Sequence, residues 1–172
     1  MPLARKANVD FVWVHGSSTV LEATLAYSLN SRGVDTLVVE MGVGMRITRE
    51  YGEQLTEGIF SLMREKGIWA GEVHTTHTPI VSADPAEVEF LNAPVSGVFV
   101  KTRSHGALLR PGDEIGMIVD PLRGTLLHRV VSPCEGWLFT VREYPMVDQG
   151  SLMARILKGH MDEARRMGGD AR

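Results

Sequence analysis

"APVSGVFVKTRSHGALLRPGDEIGMI" occupies residues 93–118, and "SPCEGWLFTVREYPMVDQGSLMARI" occupies residues 132–156. The two stretches are one pattern given twice. Pro94 matches Pro133, Gly97 matches Gly136, Phe99 matches Leu138, and after a one-residue gap Gly112 matches Gly150. Each half reads Pro-x-x-Gly, strand, loop, Gly, strand. Short strands punctuated by Gly and Pro turns predict an all-β module, and the repeat predicts that it is built from two related halves. That grammar runs from residue 72 to 158. The remainder, 159–172, is charged and rich in glycine, and reads as a frayed helical tail.

Upstream the grammar is different. "FVWV" (11–14) and "DTLVVE" (35–40) are short apolar runs of the strand type. Between them "SSTVLEATLAYSLNSRG" (17–33) reads as a helix. Thr19 and Glu22 have capping-box spacing, Leu21, Leu25 and Leu29 mark a buried face, and Gly33 supplies the stop. A longer helix is predicted from about Thr48 to Lys66, ending at Gly67, with Tyr51, Leu55, Ile59 and Leu62 or Met63 on one face. This order, β-α-β-α, implies parallel strands and a right-handed crossover. Neither strand alternates, so both faces want cover, as inside a parallel sheet. Two strands alone would leave their outer edges unpaired. Residues 1–71 therefore read as a partial parallel sheet that either completes another chain or ends a larger α/β domain. The second reading is the one adopted. The same open edges make self-association an expectation where no such partner exists.

The totals narrow the function classes. A chain of 172 residues with net charge -3 and pI near 6.1 offers no basic surface for nucleic acid or an anionic membrane. Cys134 is the lone cysteine, which excludes an intrachain disulfide and a thiolate metal cluster and suits a reducing cytoplasm. No apolar run approaches the roughly 20 residues a membrane helix needs, and "MPLARKANVD" lacks the apolar core of a secretory signal. A soluble cytoplasmic protein is expected.

Most chemistry-bearing residues have an ordinary reading. His74 and His77 in "HTTHTP" would point to opposite faces of a strand, and read as polar residues on a linker. His160 and Glu163 in "HMDE" would share a helix face, but lie in the tail. Cys134 reads as a small half-buried side chain, and Asp113 and Glu114 as a solvated turn. Ser17, Ser18 and Thr19 after His15-Gly16 would cap a helix. Glu40 stands apart. It ends an apolar run at the carboxyl end of a predicted strand, where ligands gather in open α/β sheets, and Gly42 and Gly44 follow it. Two readings stay open: a functional carboxylate, or one held by Arg46, Arg49 or the next helix.

The doubled β half resembles the barrel-sandwich hybrid of biotinyl and lipoyl carrier domains. Carriers bear a modified lysine on the connection between halves. Here that connection is "VDPLRGTLLHRV" (119–130), without lysine, and Lys101 lies inside the first half. A swinging-arm carrier is therefore set aside. A broader resemblance covers residues 10–157. "VDTLVVEMGVG", a helix ending near "GIW", then "APVSGVFV", "LRPGDEIGMIVDP" and "VVSPCEGWLF" resemble the C-terminal portion of the succinylglutamate desuccinylase/aspartoacylase family. These are zinc-dependent deacylases of carboxypeptidase A-like fold.

The resemblance implies α/β structure followed by all-β: the end of a zinc-carboxypeptidase-like domain (1–71), then a barrel-sandwich-like module (72–158). It implies that Glu40 is the catalytic acid/base, deprotonating a zinc-bound water that attacks the amide of an N-acyl amino acid. The zinc ligands it implies, a His-x-x-Glu pair and a later histidine, lie upstream of the matched segment. No metal ligand is assigned within this chain: His15 falls too close to the glutamate strand, and "HMDE" lies beyond the β module. No substrate-binding residue is assigned either. The chain alone is expected to be inactive, awaiting a zinc-binding half or a partner chain that supplies it. The alternative is a non-catalytic binding or assembly module whose β domain covers a partner.

Overall fold

The structure, a computed structural model, describes residues 2–15 and 22–168. It divides into two compact units, 1–85 and 86–172. The sequence grammar places the boundary near residue 71, but Ile80–Ser82 forms a strand that pairs with the first unit. The break therefore falls after Pro85.

In the first unit, a 3-10 turn at Ala4–Lys6 precedes β1 (Phe11–Trp13), α1 (Leu25–Asn30), α2 (Arg49–Glu65) and β2 (Ile80–Ser82). β1 and β2 form a two-stranded parallel sheet with Phe11 opposite Ile80 and Trp13 opposite Ser82. α2 follows the predicted span closely, from N-cap Thr48 to a C-cap at Lys66. α1 is shorter than predicted. Thr24 caps it, its hydroxyl accepting from the Tyr27 N–H at 3.2 Å. The predicted Thr19–Glu22 box and Leu21 involve positions outside the described residues. Leu25, assigned to a buried face, is 74% exposed. The predicted second strand is not one among the described residues: 35–40 carry no regular secondary structure and belong to no sheet. A strand exists only through its ladder, and the described residues give this run no neighbour.

Asn8 pins the first unit. It is 2% exposed. Its amide donates to the Gln54 carbonyl at 2.9 Å, and its Oδ1 accepts from the Thr76 and His77 N–H groups, each at 2.9 Å. Gln54 Nε2 returns bonds to the Asn8 carbonyl (2.8 Å) and Asp10 Oδ1 (3.1 Å). One buried amide thus ties α2 to the segments on either side of it in sequence, leaving none of its own polar atoms unpaired.

The second unit carries the repeat. A 3-10 turn at Pro85–Glu87 leads into β3 (Val88–Asn92), β4 (Gly97–Lys101), β5 (Leu108–Leu109), β6 (Glu114–Val119) and β7 (Leu126–Val131). Then come β8 (Gly136–Val141), β9 (Met146–Val147), β10 (Leu152–Leu157) and α3 (Met161–Arg166). Two four-stranded sheets run β3-β10-β8-β5 and β7-β6-β4-β9. The orders correspond strand for strand when one half is laid on the other. The short strand of each half crosses over: β5 pairs with β8 of the second half, and β9 with β4 of the first. The halves are interlocked.

The repeated glycines explain themselves physically. A Cβ on Gly97 would stand 2.7 Å from Ile118 Cγ2 and 2.7 Å from the Val119 carbonyl oxygen. On Gly136 it would stand 2.5 Å from Ile156 Cγ2 and 2.6 Å from the Leu157 carbonyl oxygen. Ile118-Val119 and Ile156-Leu157 are themselves matched positions of the repeat, so the same close approach is built twice. Gly112 and Gly150 hold φ of 90° and 87°, the left-handed region glycine favours. Both halves feed one core that includes Phe99, Leu109, Ile115, Ile118, Leu138, Met153 and Ile156. Each fully buried Leu or Ile there contributes roughly 1.5–3 kcal/mol.

The tail is not frayed through its described part. α3 packs on β5 and β8, with Ala164 fully buried. No described helix is long and apolar enough to cross a membrane.

Candidate functional site

Glu40 ends an apolar run whose start is anchored and whose middle is not. The Asn30 side chain at the end of α1 holds Thr36 from both sides: its amide donates to the Thr36 carbonyl at 3.3 Å, and its Oδ1 accepts the Thr36 N–H at 3.1 Å. Beyond Glu40 the chain turns through Gly42, φ 61°, where an added Cβ would stand 3.2 Å from Tyr51 Cδ2 in the first turn of α2. Met45 then holds φ 68°, which few non-glycine residues adopt.

Among the described residues no hydrogen bond or ion pair engages the Glu40 carboxylate, and it is exposed. Arg49, one candidate partner, pairs instead with Glu53 at 2.7 Å within α2. Thr48, not Glu40, occupies the N-cap of α2. Those structural roles are therefore unfilled by Glu40.

The histidines are committed elsewhere. His77 Nδ1 lies 2.5 Å from Asp10 Oδ1, within the Asn8–Gln54 cluster. His74 is exposed, its backbone N–H donating to Glu57 at 2.7 Å. His160 sits at the N-cap of α3 between two carboxylates: Glu163 Oε2 is 2.6 Å from Nδ1, and Glu87 Oε2 is 3.3 Å from Nε2. Burial works against its charged form, but Glu163 and Glu87 outweigh that and raise its pKa above the ordinary 6.5. The "HMDE" pair is thus an ion-pair clamp on the start of α3. Among the described residues no group of three or more His, Cys, Asp or Glu side chains is placed to hold a metal ion. The described residues alone do not fit a zinc centre.

The remaining candidates take their plainer roles. Burial pushes the Cys134 thiol pKa up, away from thiolate chemistry, with the Glu89 charge adding to the effect. Asp113 Oδ2 accepts the Arg110 N–H at 2.8 Å within its turn, and Glu114 pairs with Arg129 across β6 and β7. Lys101 is half-buried against Glu143. At the tip of the β6–β7 connection, Asp120 Oδ1 accepts the Leu122 and Arg123 N–H groups at 2.8 and 3.1 Å. Those bonds lower its pKa. Two surface depressions, one along α3 and one beside Ser61, Arg64 and Val73, are not lined by Glu40. The Asp10–His77 pair has no signal in the sequence, because only folding brings the two together.

A parallel strand pair with its helices, followed by two interlocked β halves, is a fold shared with solved structures of the succinylglutamate desuccinylase/aspartoacylase family. The Rhodobacter sphaeroides family protein superposes with a TM-score of 0.73 at 19% identity, over 91% of this chain and 47% of that one. A succinylglutamate desuccinylase from a Silicibacter species gives a TM-score of 0.76 at 15% identity, over 91% and 48%. The product-bound ectoine utilization protein EutE of Ruegeria pomeroyi gives 0.76 at 15% identity, over 90% and 47%. The chain spans about half the length of these structures. No family model matches its sequence, and no curated protein does.

Proposed function

We propose that this chain is the C-terminal portion of a zinc-dependent deacylase acting on N-acyl amino acids or related small amides, with Glu40 as general acid/base. The observation that carries the reading is the coincidence of fold and residue. The shared fold supports an origin among deacylases, and the carboxylate singled out in the sequence is exposed and uncommitted. Glu40 would take a proton from water as the water oxygen bonds to the amide carbonyl carbon. It would return that proton to nitrogen as the C–N bond breaks, releasing a carboxylic acid and an amine.

Zinc and its ligands would come from polypeptide outside the residues described, so this chain alone would turn over nothing. The second unit is read as a barrel-sandwich hybrid without its lysine, and the setting as cytoplasmic. The test is hydrolysis of N-acyl amino acids by the longer protein, followed as released amine. Glu40→Gln is expected to remove turnover while leaving zinc content unchanged; retained turnover would refute the assignment. The rival, a non-catalytic assembly module, draws on edge strand β7, where Leu126, Leu127 and Val131 are exposed. It predicts no amide hydrolysis from any assembly containing the chain.

A further inference from the structure

α3 is held to the second unit by little. It is 6 residues long, and Ala164 is its one fully buried side chain. It joins β10 through Lys158 and Gly159. Gly159 holds φ 81°, and a Cβ there would meet nothing within 4 Å. The joint is a glycine in open space, the residue type that turns most freely.

What α3 covers is not the main core. Leu157 stands opposite Val88 on one side and Trp137 on the other, and Trp137 stands opposite Leu108. Residues opposite one another share a face, so these four form one row across the sheet β3-β10-β8-β5. Their chain neighbours Leu138, Ile156 and Leu109 point the other way, into the core. Val88, Leu157 and Trp137 lie outside that core, yet all three are buried. α3, packed on β5 and β8, lies over this row.

One side chain fastens the cover. His160, at the start of α3, meets Glu163 of α3 with Nδ1 and Glu87 of the 3-10 turn before β3 with Nε2. Donating to both carboxylates takes a proton on each ring nitrogen, which only the imidazolium has. A neutral ring keeps one donor and turns a lone pair toward the other carboxylate. The other charges about α3 are Glu135, Asp162, Arg165 and Arg166, with Lys158 paired to Glu89 of β3. β5 and β8 carry no charged residue. Of these residue types only histidine titrates near neutrality.

We propose that α3 is a proton-operated latch, closed over Val88, Leu157, Trp137 and Leu108 while protonated His160 bridges Glu87 and Glu163, and swinging open about Gly159 when His160 is neutral. The latch is fully fastened below pH 6.5 and loosens as pH rises through the folded pKa of His160, which lies above that value. The device belongs to the second unit and needs nothing from Glu40.

The test measures the opening of α3 in the full chain by amide exchange, corrected for the intrinsic base-catalysed rate. The Ala164 and Met167 amides, bonded to the His160 and Glu163 carbonyls, report α3. The Leu138 and Arg142 amides, bonded to the Ala107 and Met153 carbonyls, report the sheet. The α3 amides are expected to open at least about 10²-fold more often than those of the sheet. Between about pH 5.5 and 9 their opening constant rises about tenfold for each unit by which NMR places the folded His160 pKa above its open-state value. In His160→Gln the rise disappears. Ala164→Arg, in a Trp13→Phe/Trp69→Phe background, forces the latch: Trp137 emission shifts to the red at every pH while Leu138 stays protected. Amides of α3 that open no more often than the sheet overturn the proposal, as does a rise that survives His160→Gln. An Ala164→Arg chain that unfolds throughout, or one whose Trp137 emission does not move, overturns it too.

Discussion

Replacing Gly136 by alanine probes the packing on which the doubled β unit depends. The new methyl would lie 2.5 Å from Ile156 Cγ2 and 2.6 Å from the Leu157 carbonyl oxygen. Carbon atoms in van der Waals contact stand about 3.5–4.0 Å apart, so roughly an ångström must be found. The Ile156 side chain is fully buried and cannot swing away. The Leu157 carbonyl belongs to β10, an inner strand bonded to β3 on one side and β8 on the other, so the backbone resists as well. Overpacking of this kind costs roughly 1–3 kcal/mol, and contact with backbone puts it in the upper part of that range. At about 4–8 °C per kcal/mol for a unit of this size, Tm of the second unit falls by roughly 10–20 °C. Scanning calorimetry reads it, and Gly97→Ala should lose a similar amount because its surroundings are the matched ones. A loss below about 0.5 kcal/mol, the scale of a neutral surface change, would refute the interlocked packing described above.

Asn8→Ala strands the Thr76 and His77 N–H groups in the first unit. Thr76 is exposed and His77 half-buried, so water partly replaces what is lost; at roughly 0.5–1.5 kcal/mol for each hydrogen bond removed, a drop of about 1–3 kcal/mol in a denaturant titration of that unit is expected. His160 gives a pH dependence with a definite sign. Its folded pKa lies above 6.5, so the stability drawn from Glu163 and Glu87 is complete below pH 6.5 and is lost as pH rises through the folded value. Histidine NMR titration should place that value above 6.5, and His160→Gln should remove this part of the pH dependence of unfolding.

The second unit was legible because its sequence signals have local causes. Glycine stands at 97 and 136 because the neighbouring strand leaves no room for a side chain, and at 112 and 150 because the turn requires positive φ. A repeat of such constraints can be read without knowing what surrounds it. α2 was legible for a similar reason: Thr48 and Gly67 delimit it locally. Residues 35–40 were misread as a formed strand because periodicity reports only the preference for burial, and pairing needs neighbours. β2 was missed because three residues carry almost no periodic signal, and α3 was read as a helix but a frayed one because its single buried anchor, Ala164, is lost among charges. Of the site, Glu40 was visible as a residue type in an unusual position. The commitments of Arg49 to Glu53 and of His77 to Asp10 became visible only in three dimensions.

The sharpest measurement is the kcat/KM for an N-acyl amino acid of the zinc-loaded longer assembly, with Glu40 and with Glu40→Gln. Loss of a positioned acid/base predicts a fall of roughly 10²–10⁴-fold, with assembly and zinc content unaltered. Equal kcat/KM in the two proteins would contradict the account.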